Sequence, residues 1–318
     1  MRSRLCHNSY FLISLLFVLS CHVDRKEELN KYLLAYNVAV DVDEDDYDIF
    51  ILDPIKRTHK NITRDPDVAW TYLAYDGQIF FISDRDTCKR CYYLYEMDAR
   101  GENVRRIADF PLRDSWMGVR NKGTELVVNP SSKVDSAFYI IDRHGKILSK
   151  IYTGLPYASD PSFSPDGKLI AFRGARKKSK REQGFNEALY VIQSDGTGIE
   201  KITDYPAADT TAPWFAYKAG PPRWHPTENF ISYQSFQSGK YSLYAVDPED
   251  SRSWKLTGNE VEEGWHDWSP DGQWLAIEVF DSDQTQFHIM LMNWANKTTT
   301  ILTDSLYQYQ QAPVFVRK

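Results

Sequence analysis

Three places in this sequence combine residue types that could do chemistry. The first is His266-Asp267 in GWHDWSPDG, with Arg223 opening a similar segment, RWHPTENFISY. An imidazole, a carboxylate and a guanidinium together could move a proton on a hydroxylated or acidic substrate, and histidine is also a common metal ligand. No His-x-x-His or His-Glu-x-x-His spacing occurs, so the preferred reading is a hydrogen-bonded structural histidine, with no metal and no cofactor. The second place is Cys88-Lys89-Arg90-Cys91. One such pair cannot supply four zinc ligands, and a redox role would need a helix start that this strand-rich stretch lacks. The default is a disulfide stapling a loop. The third is a pair of charge runs, acidic DVDEDDYD at 41–48 and basic Arg176, Lys177, Lys178, Lys180 and Arg181. The acidic carboxylates could gather calcium, but the run lacks the glycine and the closing glutamate of an EF-hand loop. The basic run could meet lipid headgroups or lipopolysaccharide phosphates. Both read first as solvated loops.

The elements that must position these residues come from internal repetition. A short segment ending in a small or hydroxyl residue recurs at Thr63, Ala108, Thr153, Thr203, Thr257 and Thr303, at spacings of 45, 45, 50, 54 and 46 residues. About a dozen residues later comes a turn-and-strand signature: SFSPDGKLIAF from Ser162, RWHPTENFISY from Arg223 and DWSPDGQWLAI from Asp267, with weaker versions from Thr71 and Val119. An alternating apolar strand follows, as in YDIFILD, YYLYEMD, AFYIIDR, ALYVIQSD, YSLYAVD and FHIMLMN. Pro-Asp-Gly makes a tight turn because proline presets φ and glycine accepts a positive one. Each repeat therefore reads as four short strands, A to D, and four-stranded units of roughly 45 residues are propeller blades.

The predicted fold is all-β: a six-bladed β-propeller of four-stranded antiparallel blades spanning residues 32–318. The first repeat opens at KYLLAYNVAV, a B strand with no A strand before it. The tail QAPVFVRK matches an A strand, with Phe315 where Phe163, Trp224 and Trp268 stand in other repeats. The C-terminal strand should therefore complete blade 1 and close the ring.

SPDG, an apolar strand, LY and a closing L/I-T resemble the TolB-type, WD40-like propeller repeat over about residues 32–318. The resemblance implies a fold and leaves function open, since such repeats serve scaffolds, sensors and enzymes. TolB carries an α/β domain ahead of its propeller. Here about ten polar residues separate Cys21 from blade 1, so that domain is expected to be missing. Histidines where strand A begins also resemble metal-ligand positions of oligogalacturonate lyases, which use related repeats. His225, however, falls three positions later in the blade register than His266, about 10 Å along a strand, so the two should not share a metal.

Residues 1–20 read as an address. Arg2 and Arg4 precede an apolar run of ten, too short to span a bilayer but right for a signal peptide. Val18-Leu19-Ser20-Cys21 resembles a lipobox, which implies lipidation at Cys21 and a tether over 21–31. His22, standing where an aspartate would retain a lipoprotein in the inner membrane, favours the periplasmic side of the outer membrane. The other reading is an ordinary signal peptide with an incidental cysteine. Without residues 1–20 the chain has 36 basic against 44 acidic residues, which argues against nucleic acid.

In a four-stranded blade the B–C and D–A loops share one face. Here that face carries all the irregularity: 41–48, 84–91, 174–187 and the insert 206–222. Loops on rigid scaffolds carry function, so the binding face belongs there. The register places Trp70, Trp116, Asp160, Pro221, Trp265 and Ala312 where strand A begins, near the channel mouth. With Arg223, His266 and Asp267, the tryptophans and Asp160 are the candidate ligand-binding residues. The tryptophans could stack on sugars, grip a peptide, or only pack between blades. The expected function is a non-catalytic, envelope-tethered monomer binding a protein, peptide or glycan. The alternative is a glycan-active enzyme of the polysaccharide-lyase kind, which would show a bound metal or a His–Tyr–Arg cluster. A peptidase would need a hydrolase domain after the propeller, and none is expected.

Overall fold

The structure, a computed structural model, describes residues 28–258 and 260–318. Residues 1–27, with the expected signal peptide, Cys21 and the first part of the expected tether, lie outside them. Six four-stranded antiparallel sheets form the blades. Blade 1 runs from Gln310–Arg317 (strand A) through Tyr32–Asp41 and Asp46–Asp53 to Thr58–Asn61. The A strands of blades 2 to 6 are Ala69–Tyr75, Gly118–Arg120, Tyr157–Phe163, Arg223–Trp224 and Glu262–Trp268. The tail closes the ring as its sequence implies. Phe315 lies opposite Leu34 and Val314 opposite Ala35, and the Lys318 N–H donates to the Lys31 carbonyl at 2.8 Å.

Local chemistry explains the repeat. In the A–B turn of blade 4, Gly167 sits at φ +72°, donates to the Ser164 carbonyl at 2.8 Å, and the Ser164 hydroxyl accepts from Leu169 N–H at 2.9 Å. Ser269 and Gly272 repeat the arrangement in blade 6. The recurring threonine fastens the start of strand C: Thr63, Thr203 and Thr303 Oγ1 accept from Ile49, Leu189 and Ile289 N–H at 3.0, 2.8 and 3.0 Å. The apolar rows then pack blade against blade, with Leu34, Phe80, Phe81, Phe138 and Phe172 fully buried. Each such side chain contributes roughly 1.5–3 kcal/mol, so the inter-blade layers hold the ring together.

Two loops differ from their sequence reading. Half of the acidic stretch is strand, and residues 42–45 make the turn. Asp48 can sit in a strand because its buried carboxylate accepts from Asn61 Nδ2 at 2.6 Å and Thr63 Oγ1 at 2.5 Å. In the basic loop Lys180 turns inward, 3.5 Å from Glu187 and 3.9 Å over the Tyr217 ring, while its four charged neighbours stay exposed. Cys88 and Cys91 are joined in the B–C loop of blade 2, their Cα atoms 5.2 Å apart.

Candidate functional site: the channel mouth

Strand A of each blade lines the channel, and in blades 1, 2, 4 and 6 its pairing with strand B slips at a bulge. Asp160 and Ala312 sit there at φ +59° and +49°, a conformation that costs energy without glycine and needs holding. The holding groups come from equivalent places on the B strands. Asn37 accepts from Thr71 N–H at 2.7 Å, Arg173 grips Asp160 at 2.5 Å, and Glu278 accepts from Ala312 N–H at 3.0 Å. Bulges re-aim side chains, and these set the A strands around the mouth.

Three of the candidate residues converge. The Trp70 and Trp265 rings lie 5.9 Å apart edge to face, and Trp116 is 6.4 Å from Trp265. Tyr72 bridges Trp70 and Trp116 at 5.9 and 4.9 Å, and Tyr47 leans on Trp70 at 4.7 Å. Beneath them Arg223 lies 3.7 Å over the Trp116 ring and donates across the channel to the Tyr72 carbonyl at 2.9 Å. Asp267 stands 3.6 Å from the same guanidinium and accepts from Phe315 N–H at 2.9 Å. Burial pushes Arg223 down to about 10, which leaves it cationic at neutral pH as the floor of the mouth.

His266 and Asp160 do other work. His266 Nε2 is 2.7 Å from the Ser232 hydroxyl, which also accepts from Trp268 Nε1–H at 2.9 Å. Burial, with Arg223 second, pushes this histidine down to about 3, so it is neutral at any ordinary pH and poorly suited to acid–base work. His225 sits in a separate aromatic cluster, 4.4 Å from Trp268 and 4.7 Å from Phe230. Among the described residues no three His, Cys, Asp or Glu side chains are placed to hold a metal. Asp160 faces inward, accepting from Trp116 N–H at 2.9 Å and pairing with Arg173.

The sequence reading did not single out the residues that finish the site. A cavity of about 230 Å³ opens at the mouth, walled by Tyr47, Trp70, Tyr92 and Trp265, with Asp114 and Arg90 at its edge. Asp114 accepts from the Tyr72 hydroxyl, and its crowded surroundings raise it above the usual carboxylate range. Arg90 pairs with Asp45 on the neighbouring loop.

Glu278 offers a pH test of the bulge. It is 4% exposed, and burial pushes its carboxyl from 4.5 up to about 8. A folded pKa above the unfolded one contributes stability that is full below about 4.5 and is lost as pH rises through about 8. Glu278→Gln should therefore gain on the wild type across that window, by up to roughly 1.4 kcal/mol per pH unit. Urea unfolding of both proteins at pH 5, 7 and 9 measures it. A gap that stays constant with pH would contradict the assignment.

No known family model matches the chain. An uncharacterized protein of Agrobacterium fabrum is 24% identical over 211 residues, covering 62% of this chain. The match spans 65% of that relative's length. Among solved structures, TolB from Acinetobacter baumannii aligns with a TM-score of 0.68 at 16% identity, covering 91% of this chain and 67% of that one. A protein assigned as TolB from Agrobacterium tumefaciens gives 0.62 at 15%, covering 88% and 90%. An oligogalacturonate lyase in complex with manganese gives 0.52 at 14%, covering 86% and 74%. At these identities the likeness is one of fold: the chain folds as a TolB-like six-bladed β-propeller.

Proposed function

We propose that the chain is a non-catalytic binding propeller of the cell envelope, presenting the irregular face around its channel mouth to a protein or peptide partner. The observation that carries this reading is the mouth itself: a cavity walled by Tyr47, Trp70, Tyr92 and Trp265, beside a histidine too buried to act as an acid or base. The acidic side chains near the cavity, Asp45, Asp67, Asp84 and Asp114, disfavour an oligouronide, which weakens the lyase alternative.

The sequence address, together with where the chain enters the ring, supports envelope tethering. Strand B of blade 1 begins on the face of short turns. There Lys318 Nζ donates to Asn30 at 3.1 Å and to Asp53, which leads into the C–D turn, at 3.0 Å. A lipid on Cys21 would hold that smooth face toward a membrane and leave the irregular face pointing away.

The test is partner capture from envelopes with the full chain. A specific partner should be retained by a smooth-face variant, Lys56→Glu with Lys60→Glu, and lost with Trp70→Ala and Trp265→Ala. Equal loss in both would sink the mouth as the binding site. A stoichiometric metal lost with His266→Ala, or turnover of an acidic glycan, would establish the enzyme instead.

A further inference from the structure

We propose that the mouth cavity takes one organic cation, an alkylammonium or guanidinium group, seated among Tyr47, Trp70, Tyr92 and Trp265 with Asp114 as its counter-ion. This rests on the mouth being the binding site and adds the chemistry of what enters it.

The walls are aromatic, and aromatic faces attract cations through the ring quadrupole. The charge balance favours the same sign. Arg90 is paired with Asp45 and acts on Asp114 only through space, while Asp114 accepts from the Tyr72 hydroxyl. Asp114 is solvent-exposed yet closely surrounded by protein, as a carboxylate awaiting a ligand in a concave site must be. The adjoining rim carries Glu44, Asp67 and the buried Asp84 against one cation, Lys89. Asp46 beside them is pushed up to about 6, by burial first and then by Asp48 and its other acidic neighbours. A cation arriving here relieves repulsion, and an anion would add to it. The chain makes the same kind of contact one layer down, where the Arg223 guanidinium lies 3.7 Å over Trp116. A volume of about 230 Å³ suits one head group and excludes an oligomer.

The group could belong to a free small molecule or to a lysine or arginine side chain of a peptide. Tryptophan fluorescence and calorimetry on the full chain, with n-butylammonium, N-acetyl-arginine amide and the peptide Ala-Arg-Ala, distinguish the sources. Neutral N-acetyl-norleucine amide and anionic glutarate are the controls. Cations should bind at millimolar concentration or better, and the controls at least tenfold more weakly. Tighter binding of the peptide than of n-butylammonium assigns the cation to a partner side chain, and the reverse order to a small molecule. Asp114→Asn, which can still accept from Tyr72, should cost about tenfold for cations and nothing for the controls. Arg90→Ala, which removes a like charge, should tighten cation binding. The proposal is overturned if cations bind no better than the neutral amide, or if Asp114→Asn leaves them unchanged. If cations fail while partner capture still depends on Trp70 and Trp265, the cation is wrong and the binding face stands.

Discussion

A chain ending at Gln311 should unfold at a far lower temperature than the wild type and should elute as aggregates. The missing residues supply most of the A strand of blade 1, which pairs with Tyr32–Asp41. They bury Ala312, Val314, Phe315 and Val316 almost completely. At roughly 1.5–3 kcal/mol for each large buried side chain, their loss removes about 5–8 kcal/mol. That is comparable with the whole net stability of an ordinary domain, about 5–15 kcal/mol. The truncation also uncovers the backbone edge of Tyr32–Asp41, a template for pairing with other chains. Two carboxylates lose partners as well, Glu278 its Ala312 N–H and Asp267 its Phe315 N–H. Lys318→Ala, which removes one part-buried ion pair to Asp53, is the control and should cost only about 1–3 kcal/mol. Calorimetry, urea m-values and gel filtration measure the effect. A truncated chain with the wild-type melting temperature would mean that the ring does not depend on its closing strand.

That closure joins the two ends of the chain, yet it was legible because each end carries its own local signature. QAPVFVRK carries the apolar alternation of an A strand, and KYLLAYNVAV lacks one before it. The same register brought out Trp70, Trp116 and Trp265, since position within a blade fixes height along the channel. It put Tyr47 and Tyr92 at the head of the strands YDIFILD and YYLYEMD without showing that they meet, and it could not bring out Arg90 or Asp114. Loops of different lengths share no register, and their meeting depends on how adjacent blades are rotated. Nor could it show that Arg223 crosses to the Tyr72 carbonyl, 151 residues away, because that contact spans the hole. His266 shows the limit from the other side. Its place in the repeat suggests the channel, but a bulge between Glu263 and His266 lets its ring meet Ser232 on blade 5. Pattern predicts a ladder; it does not predict where the ladder slips.

Arg173→Met should be the most destabilising single substitution near the mouth. Arg173 is 6% exposed and joins two carboxylates that are each 2% exposed, Asp160 at 2.5 Å and Glu187 at 3.0 Å. Tyr217 and Tyr157 cover the guanidinium at 4.8 and 5.8 Å. Methionine replaces the volume but leaves both acids to Lys180, which touches only Glu187, and to Arg223, which acts on Asp160 without touching it. Removing one partner of a buried ion pair typically costs about 3–5 kcal/mol, here a drop on the order of 10 °C in melting temperature. The stranded carboxyls would be raised toward protonation, so the deficit should shrink at pH 5 and grow at pH 8. The damage should also reach the aromatic box, because Asp160 holds the Trp116 backbone at 2.9 Å and Trp116 carries Arg223. Near-ultraviolet circular dichroism would register that loosening before global unfolding. Adding Asp160→Asn and Glu187→Gln should recover much of the loss, since neutral amides need no counter-ion. A melting temperature within a degree or two of wild type, or a deficit unchanged between pH 5 and pH 8, would show that the buried triad is not what holds the bulge beside Trp116.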